Sequence, residues 1–143
     1  MFSFMPKKAK KPKRQKTIKE LDAIFSRFIR FRDCDKKGIV TCPLCGVKIP
    51  RKKAQNMHFV SRWVMKYRFD EDNCHAWCQR CNVTLNGNYI EYTLWMINQY
   101  GKEKVEHMKH DKELCKVETW RLEEMVEEYK WKVEELKKLK HLK

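Results

Sequence analysis

The stretch Cys42-Pro43-Leu44-Cys45-Gly46 and its echo Cys78-Gln79-Arg80-Cys81-Asn82 decide how this chain is read: two Cys-x-x-Cys pairs of identical spacing, with 32 residues between them. A pair two residues apart on a tight turn aims both thiolates at one tetrahedral ion. Two such pairs close a structural Zn²⁺ site (Cys42, Cys45, Cys78, Cys81) with no open coordination position. Such a zinc holds a fold together and does no chemistry, so chelation should unfold the domain. The competing reading is two unrelated pairs of buried cysteines. The seven cysteines are an odd number, and the opening Met1-Phe2-Ser3-Phe4-Met5 is too short for a signal-peptide core, so a disulfide framework fits poorly. Cys34, Cys74 and Cys115 are left as buried or free thiols.

Around the first pair, Ile39 to Pro50 reads as a β run, a Cys-Pro-Leu-Cys-Gly turn and a second β run (Val47, Lys48, Ile49), the outline of a zinc-knuckle hairpin. Two further short strands are expected around 57–60 and 73–76. Cys78 to Cys81 opens a short helix, Asn86-Gly87-Asn88 punctuates it, and a firmer helix runs from Tyr89 to Tyr100 with Gly101 as its C-cap. Upstream, Thr17-Ile18-Lys19-Glu20 has capping-box spacing. A helix is expected from there to about Asp33, with Ile18, Leu21, Ile24, Phe25, Phe28 and Ile29 in one apolar stripe. Downstream, a short helix over 102–109 and a long one over 117–139 complete the chain. In the last, Trp120, Met125, Val126, Tyr129, Val133 and Leu136 form the stripe, supported by Glu128 with Lys132 and Glu134 with Lys138. That helix is read first as packing on its own domain and second as a dimerisation surface. The architecture is α+β: residues 17–143 as one domain, with a helix over 17–33, a zinc core over 39–100 and C-terminal helices over 101–143.

At 143 residues and 17.5 kDa there is room for one domain with a modest core. The 42% of hydrophobic residues exclude wholesale disorder. No apolar run approaches the roughly 18 residues that span a bilayer, so an intracellular, soluble protein without a membrane partner is expected. With 33 Lys+Arg against 19 Asp+Glu, the net charge is +14, which favours a polyanion and nucleic acid first. Residues 1–16 carry Lys7, Lys8, Lys10, Lys11, Lys13, Arg14 and Lys16 and no acid, with Pro6 and Pro12 among them. This reads as a disordered basic arm, either a solvated tail or localisation signal, or a grip on the phosphate backbone.

His58, Asn73, Asn82 and Asn86 follow one another at intervals of 15, 9 and 4 residues, with Asn82 directly after the last zinc cysteine. The order resembles the His-Asn-His, or ββα-metal, nuclease motif, and the bracketing cysteines resemble the endonuclease VII type of phage junction resolvase. A closer likeness is to the NinG (Rap) family of phage recombination proteins. It is carried by the first Cys-x-x-Cys, Met57-His58-Phe59-Val60-Ser61-Arg62, the run from Arg68 through Asn73-Cys74-His75-Ala76-Trp77 to Asn82, Gly87-Asn88 and Tyr92. It extends over about residues 39 to 137. The resemblance implies a zinc-stapled ββα-metal core of treble-clef-like type. It also implies a recombination-associated nuclease acting on branched DNA such as Holliday junctions and D-loops, in the cytoplasm of an infected host.

Phosphodiester hydrolysis needs a base for water, charge stabilisation at the scissile phosphate, and a frame that aligns both. His58 is the candidate base, with an ordinary pKa near 6.5 suited to neutral pH. Asn73 would orient the loop or the imidazole. Asn82 and Asn86, one helical turn apart, would offer oxygens to a catalytic Mg²⁺ or Mn²⁺. Each has a plainer reading: a structural histidine, and asparagines that form a turn. Many such nucleases place an acidic or histidine ligand just before the catalytic histidine, where this chain has Met57, whose thioether suits Mg²⁺ poorly. His75, or a carboxylate from Asp70, Glu71 or Asp72, would have to complete the site. Lys52, Lys53, Arg62, Arg68 and Arg80 are candidate phosphate contacts, with solvated surface charge as the alternative for each. Trp63 and Trp77 are expected in the core, with stacking at an opened junction as the alternative for an exposed one.

The sequence thus points to a metal-dependent, structure-selective endonuclease acting on branched DNA. A phage recombinase or single-strand-binding protein is a candidate partner, and a homodimer would suit symmetric cutting. The alternative is a zinc-stabilised module that binds branched or single-stranded nucleic acid without cutting it.

Overall fold

Helix α1 (Lys13–Asp33) begins four residues before the Thr17 capping signal. In the computed structural model, which describes residues 12–84 and 88–143, Pro12 takes the N-cap position and its carbonyl accepts from the amides of Gln15 and Lys16. The Thr17 hydroxyl bonds back to the Lys13 carbonyl at 3.1 Å instead of capping. Lys13, Arg14 and Lys16 are therefore helical and not part of a disordered arm. Lys7, Lys8, Lys10 and Lys11 lie outside the described residues.

Strands β1 (Ile39–Thr41) and β2 (Lys48–Pro50) pair antiparallel around the first cysteine turn. Gly46, at φ 73°, lets that turn close, with its amide on the Cys42 carbonyl at 2.9 Å. A 3₁₀ turn (Arg51–Lys53) leads into β3 (Gln55–His58). Beyond a loop and the one-turn α2 (Met65–Arg68), β3 pairs antiparallel with β4 (Cys74–Trp77). A π-helical turn (Arg80–Thr84) follows the second cysteine pair, and Asn88 enters α3 (Tyr89–Tyr100) with left-handed backbone. Gly101, at φ 86°, separates α3 from α4 (Lys102–His110), and α5 (Thr119–Lys140) completes the chain. The mixed α+β class and the order of elements agree with the sequence.

The β3–β4 register sets two faces: His58 lies opposite Cys74 and Met57 opposite His75. Because side chains alternate along a strand, Asn56, His58, Cys74 and Ala76 share one face, and Gln55, Met57, His75 and Trp77 share the other. The first face packs with Leu21, Phe25, Phe28, Ile29 and Phe31 of α1 and with Leu122, Val126, Tyr129 and Val133 of α5. The second packs with Tyr92 and Met96 of α3, Val105 and Met108 of α4, and the zinc cysteines. Leu122 takes the core position expected of Trp120, which is 61% exposed. Trp77 is fully buried, but Trp63 is 80% exposed, so only one of the two tryptophans is core.

α1 and α5 run parallel. Arg14 at the start of α1 donates to the Val117 carbonyl at 2.6 Å, and Lys13 pairs with Glu123 at 2.8 Å. At the far end, the Lys140 ammonium donates to the Phe31, Arg32 and Cys34 carbonyls at 2.5–2.9 Å, satisfying the orphan acceptors that end α1. Between them, Tyr129 meets Phe25 edge-on at 4.9 Å. The helix thus packs on its own fold. Glu128 pairs with Lys132 as expected, while Glu134 pairs with Lys137 and Lys138 with Glu135, three residues apart. The outer edge of β4 is closed by side chains: Arg32 donates to the Cys74 carbonyl at 2.8 Å, and Asp33 accepts from the Ala76 amide at 2.8 Å.

Candidate functional site

The four cysteine sulfurs come together. The Sγ atoms of Cys42, Cys45, Cys78 and Cys81 all lie within 4.8 Å of one another, with Cys45 to Cys78 at 3.6 Å. A tetrahedral ion with Zn–S bonds of about 2.3 Å needs sulfurs roughly 3.8 Å apart, so the donor set and its spacing fit zinc. The Cys81 amide donates to the Cys78 sulfur at 3.5 Å, and a hydrogen bond from the Val47 amide helps hold the Cys45 thiol down to about 7. Burial pushes Cys81 up, so metal binding must release its proton.

His58 sits at the end of β3, half-buried. Its Nε2 lies 2.9 Å from the Arg68 carbonyl, which can only accept, so Nε2 carries the proton and Nδ1 keeps the lone pair. Burial lowers the His58 pKa below its usual 6.5, leaving the ring neutral at pH 7. Asn73 is wholly buried. It receives the Val60 amide on Oδ1 at 2.6 Å, and its Nδ2 donates to the carbonyls of Val60 and Tyr67 at 2.9 and 3.0 Å. It fixes the loop that leaves His58 and does not touch the imidazole.

His58 lines a cleft of about 260 Å³ with Asp22, Ser26, Arg30, Asn56 and Arg62. Asp22, Ser26 and Arg30 were not expected there, although their four-residue spacing along α1 is a legible polar stripe. The Oδ1 of Asn56 is buried without a partner. Arg68 is not available to phosphate: its guanidinium is clamped on Asp22 by bonds of 2.5 and 2.9 Å. Arg62, Lys52, Lys53 and Arg80 are exposed.

The candidate catalytic-metal ligands do not gather at His58. Asn82 donates to the Gln55 side chain at 2.6 Å, on the opposite face and three residues up β3, roughly 10 Å along the strand. Met57 is buried beneath α3 with Tyr92. His75 is buried on that same face, with Nδ1 on the Tyr92 hydroxyl and Nε2 on the Tyr100 hydroxyl, both at 2.8 Å. Glu71 receives Tyr129 and Lys132, Asp72 pairs with Lys104, and Asp70 accepts the amides of Asp72 and Asn73. Asn86 lies outside the described residues. Among the described residues, then, the side chains fit a structural zinc and do not fit a second, oxygen-rich divalent site beside His58. No described helix is long and apolar enough to cross a membrane.

Two outcomes follow. Elemental analysis of purified protein should find a single zinc per chain, and Cys81→Ser should lose the metal together with the thermal unfolding transition. Burial lowers the His75 pKa to about 4 from 6.5, so between these values the unfolded chain takes up a proton that the folded one refuses. Stability should therefore fall as pH drops from about 6.5 to 4, by ~3 kcal/mol from this group. In urea unfolding, His75→Gln should show a shallower fall than wild type over that window.

The comparisons place this arrangement. The family model described as "Bacteriophage Lambda NinG protein" matches residues 3–140. "Protein ninG" of Escherichia phage 933W is 30% identical over 92 residues, which cover 64% of this chain and 44% of that protein. "Protein ninG" of Escherichia phage lambda is 28% identical over 123 residues, covering 84% and 57%. The chain spans about half the length of these relatives. No solved structure matches. With nearly its whole length matched, this chain belongs to the bacteriophage lambda NinG family.

Proposed function

We propose that this protein grips branched DNA by its phosphate backbone and hydrolyses a phosphodiester bond at His58, as a structure-selective endonuclease in phage recombination. What supports this most is the tautomer and setting of His58: a neutral ring with Nδ1 free to accept, in a cleft bordered by Arg30 and Arg62, neither of which is paired with a carboxylate among the described residues. Nδ1 takes the proton of a water whose oxygen bonds to phosphorus. The bond from phosphorus to the 3′ oxygen breaks, leaving 5′-phosphate and 3′-hydroxyl ends, and that oxygen is protonated by solvent. Arg30 and Arg62 offset charge on the phosphoryl oxygens. No step passes through Mg²⁺ or Mn²⁺, because the described side chains assemble no oxygen-ligand site for either. The exposed Trp63 indole, next to Arg62, offers a stacking face for an unpaired base at a branch point. Shape selectivity without base readout fits a surface that meets backbone. A recombinase or single-strand-binding partner and a symmetric homodimer extend the same proposal.

The second reading is a zinc-stabilised binding module that does not cut. Met57 packed beneath α3 and Asn82 held by Gln55 favour it. A labelled four-way junction and a matched duplex, with Mg²⁺, Mn²⁺ or EDTA and the zinc retained, separate the two. The nuclease reading predicts junction cutting that His58→Ala slows about 10²–10⁴-fold while binding stays within about twofold. Tight junction binding without cutting by either protein, with any cation, establishes the binding module.

A further inference from the structure

We infer that Arg27, Arg30 and Arg51 form a second phosphate site, adjoining the His58 cleft, that holds a non-scissile backbone phosphate of the same DNA. The inference rests on the DNA-binding reading above and adds the path the strand takes.

The charge is unevenly neutralised. In α5, six Lys/Arg face six Glu, whereas α1 holds seven basic residues against three acids, and no acid occurs anywhere in residues 36–69. Of the nine arginines, Arg32, Arg68 and Arg121 pair with carboxylates. Arg27, Arg30, Arg51 and Arg62 have no carboxylate within 4 Å among the described residues, and all four line two neighbouring clefts. One holds His58 and Arg62. The other, about 370 Å³, is lined by Arg27, Arg30, Phe31, Arg51, Lys52 and Lys143, and Arg30 belongs to both.

The second cleft is preorganised. The Arg51 guanidinium lies 4.1 Å from the ring centre of buried Phe31, Arg27 lies 5.8 Å from the same centre, and Nη2 of Arg51 donates to the Lys143 carbonyl at 2.6 Å. The Arg30 Nε donates to the Ser26 carbonyl at 3.2 Å, which leaves its terminal nitrogens for a ligand. Burial first, then the charges of Arg51 and Arg27, act against the Arg30 cation. A bound phosphate relieves that repulsion and accepts the forked donors. The nearest acid that Arg27 feels, Glu134, is engaged by Lys137 at 2.8 Å. The shared Arg30 carries the strand from one cleft to the other along the exposed edge of α1.

The test is the salt dependence of four-way-junction binding by the full, zinc-loaded chain, read by fluorescence anisotropy. Arg27→Gln/Arg30→Gln should reduce the slope of log Kd against log salt by about 2, near 0.9 for each lost phosphate contact. Arg27→Gln alone, an exposed change that spares the fold, should reduce it by about 1. Lys102→Gln/Lys112→Gln removes the same charge from exposed, unpaired positions elsewhere and should leave the slope unchanged. Equal slopes for wild type and both arginine variants, or an equal drop in the lysine variant, overturn the site while leaving DNA binding intact. A wild type with no salt-dependent junction binding overturns this site and the proposed function together.

Discussion

The antiparallel register of β3 on β4 is the constraint on which the rest of the molecule depends. Placing His58 against Cys74 and Met57 against His75 sends the two histidines to opposite sides of one thin sheet. Shifting it by one residue would exchange the faces, burying the His58 cleft under α3 and turning His75 away from its tyrosines. Both ends of the hairpin are secured by different chemistry. At one end the four cysteines gather where β4 runs into the second pair. At the other, the buried Asn73 amide replaces the missing strand hydrogen bonds of Val60 and Tyr67.

Two stranded pairs of this size bury too little to stand alone, and the two long helices supply the remainder. Their parallel course requires the chain to cross the whole zinc and hairpin region between them. Arg14 and Lys140 then close the two ends. The arrangement also sorts charge. Lysines of α5 are matched by its own glutamates, whereas the arginines of α1 and the 3₁₀ turn remain unmatched around the clefts. The face that carries His58 is therefore also the face with uncompensated positive charge.

Much of this was legible in the sequence because it is local. The cysteine spacing, the knuckle hairpin, Gly101 as a helix stop and the apolar period of α1 each depend on neighbours within a few residues. What could not be read depends on distant partners. His75 looks like a candidate ligand until Tyr92 and Tyr100 arrive from 17 and 25 residues away to occupy both nitrogens. Arg68 looks like a phosphate contact until Asp22, 46 residues earlier, takes it. Thr17 has the letters of a cap, but Pro12 starts the helix sooner and the hydroxyl turns inward. Trp63 and Trp77 have one side-chain type and opposite fates, decided by loop and strand position, which hydrophobicity does not encode.

The central claim is that His58, neutral and protonated on Nε2, is the histidine that meets DNA, while His75 is sealed in the core. Long-range ¹H–¹⁵N correlation spectra of the imidazoles at pH 7, recorded with and without a four-way junction, test it directly. The account predicts a neutral, Nε2-protonated His58 whose resonances move on adding the junction, and a His75 whose resonances do not. A doubly protonated His58 in the free protein, or a junction that shifts His75 and leaves His58 unmoved, would contradict it.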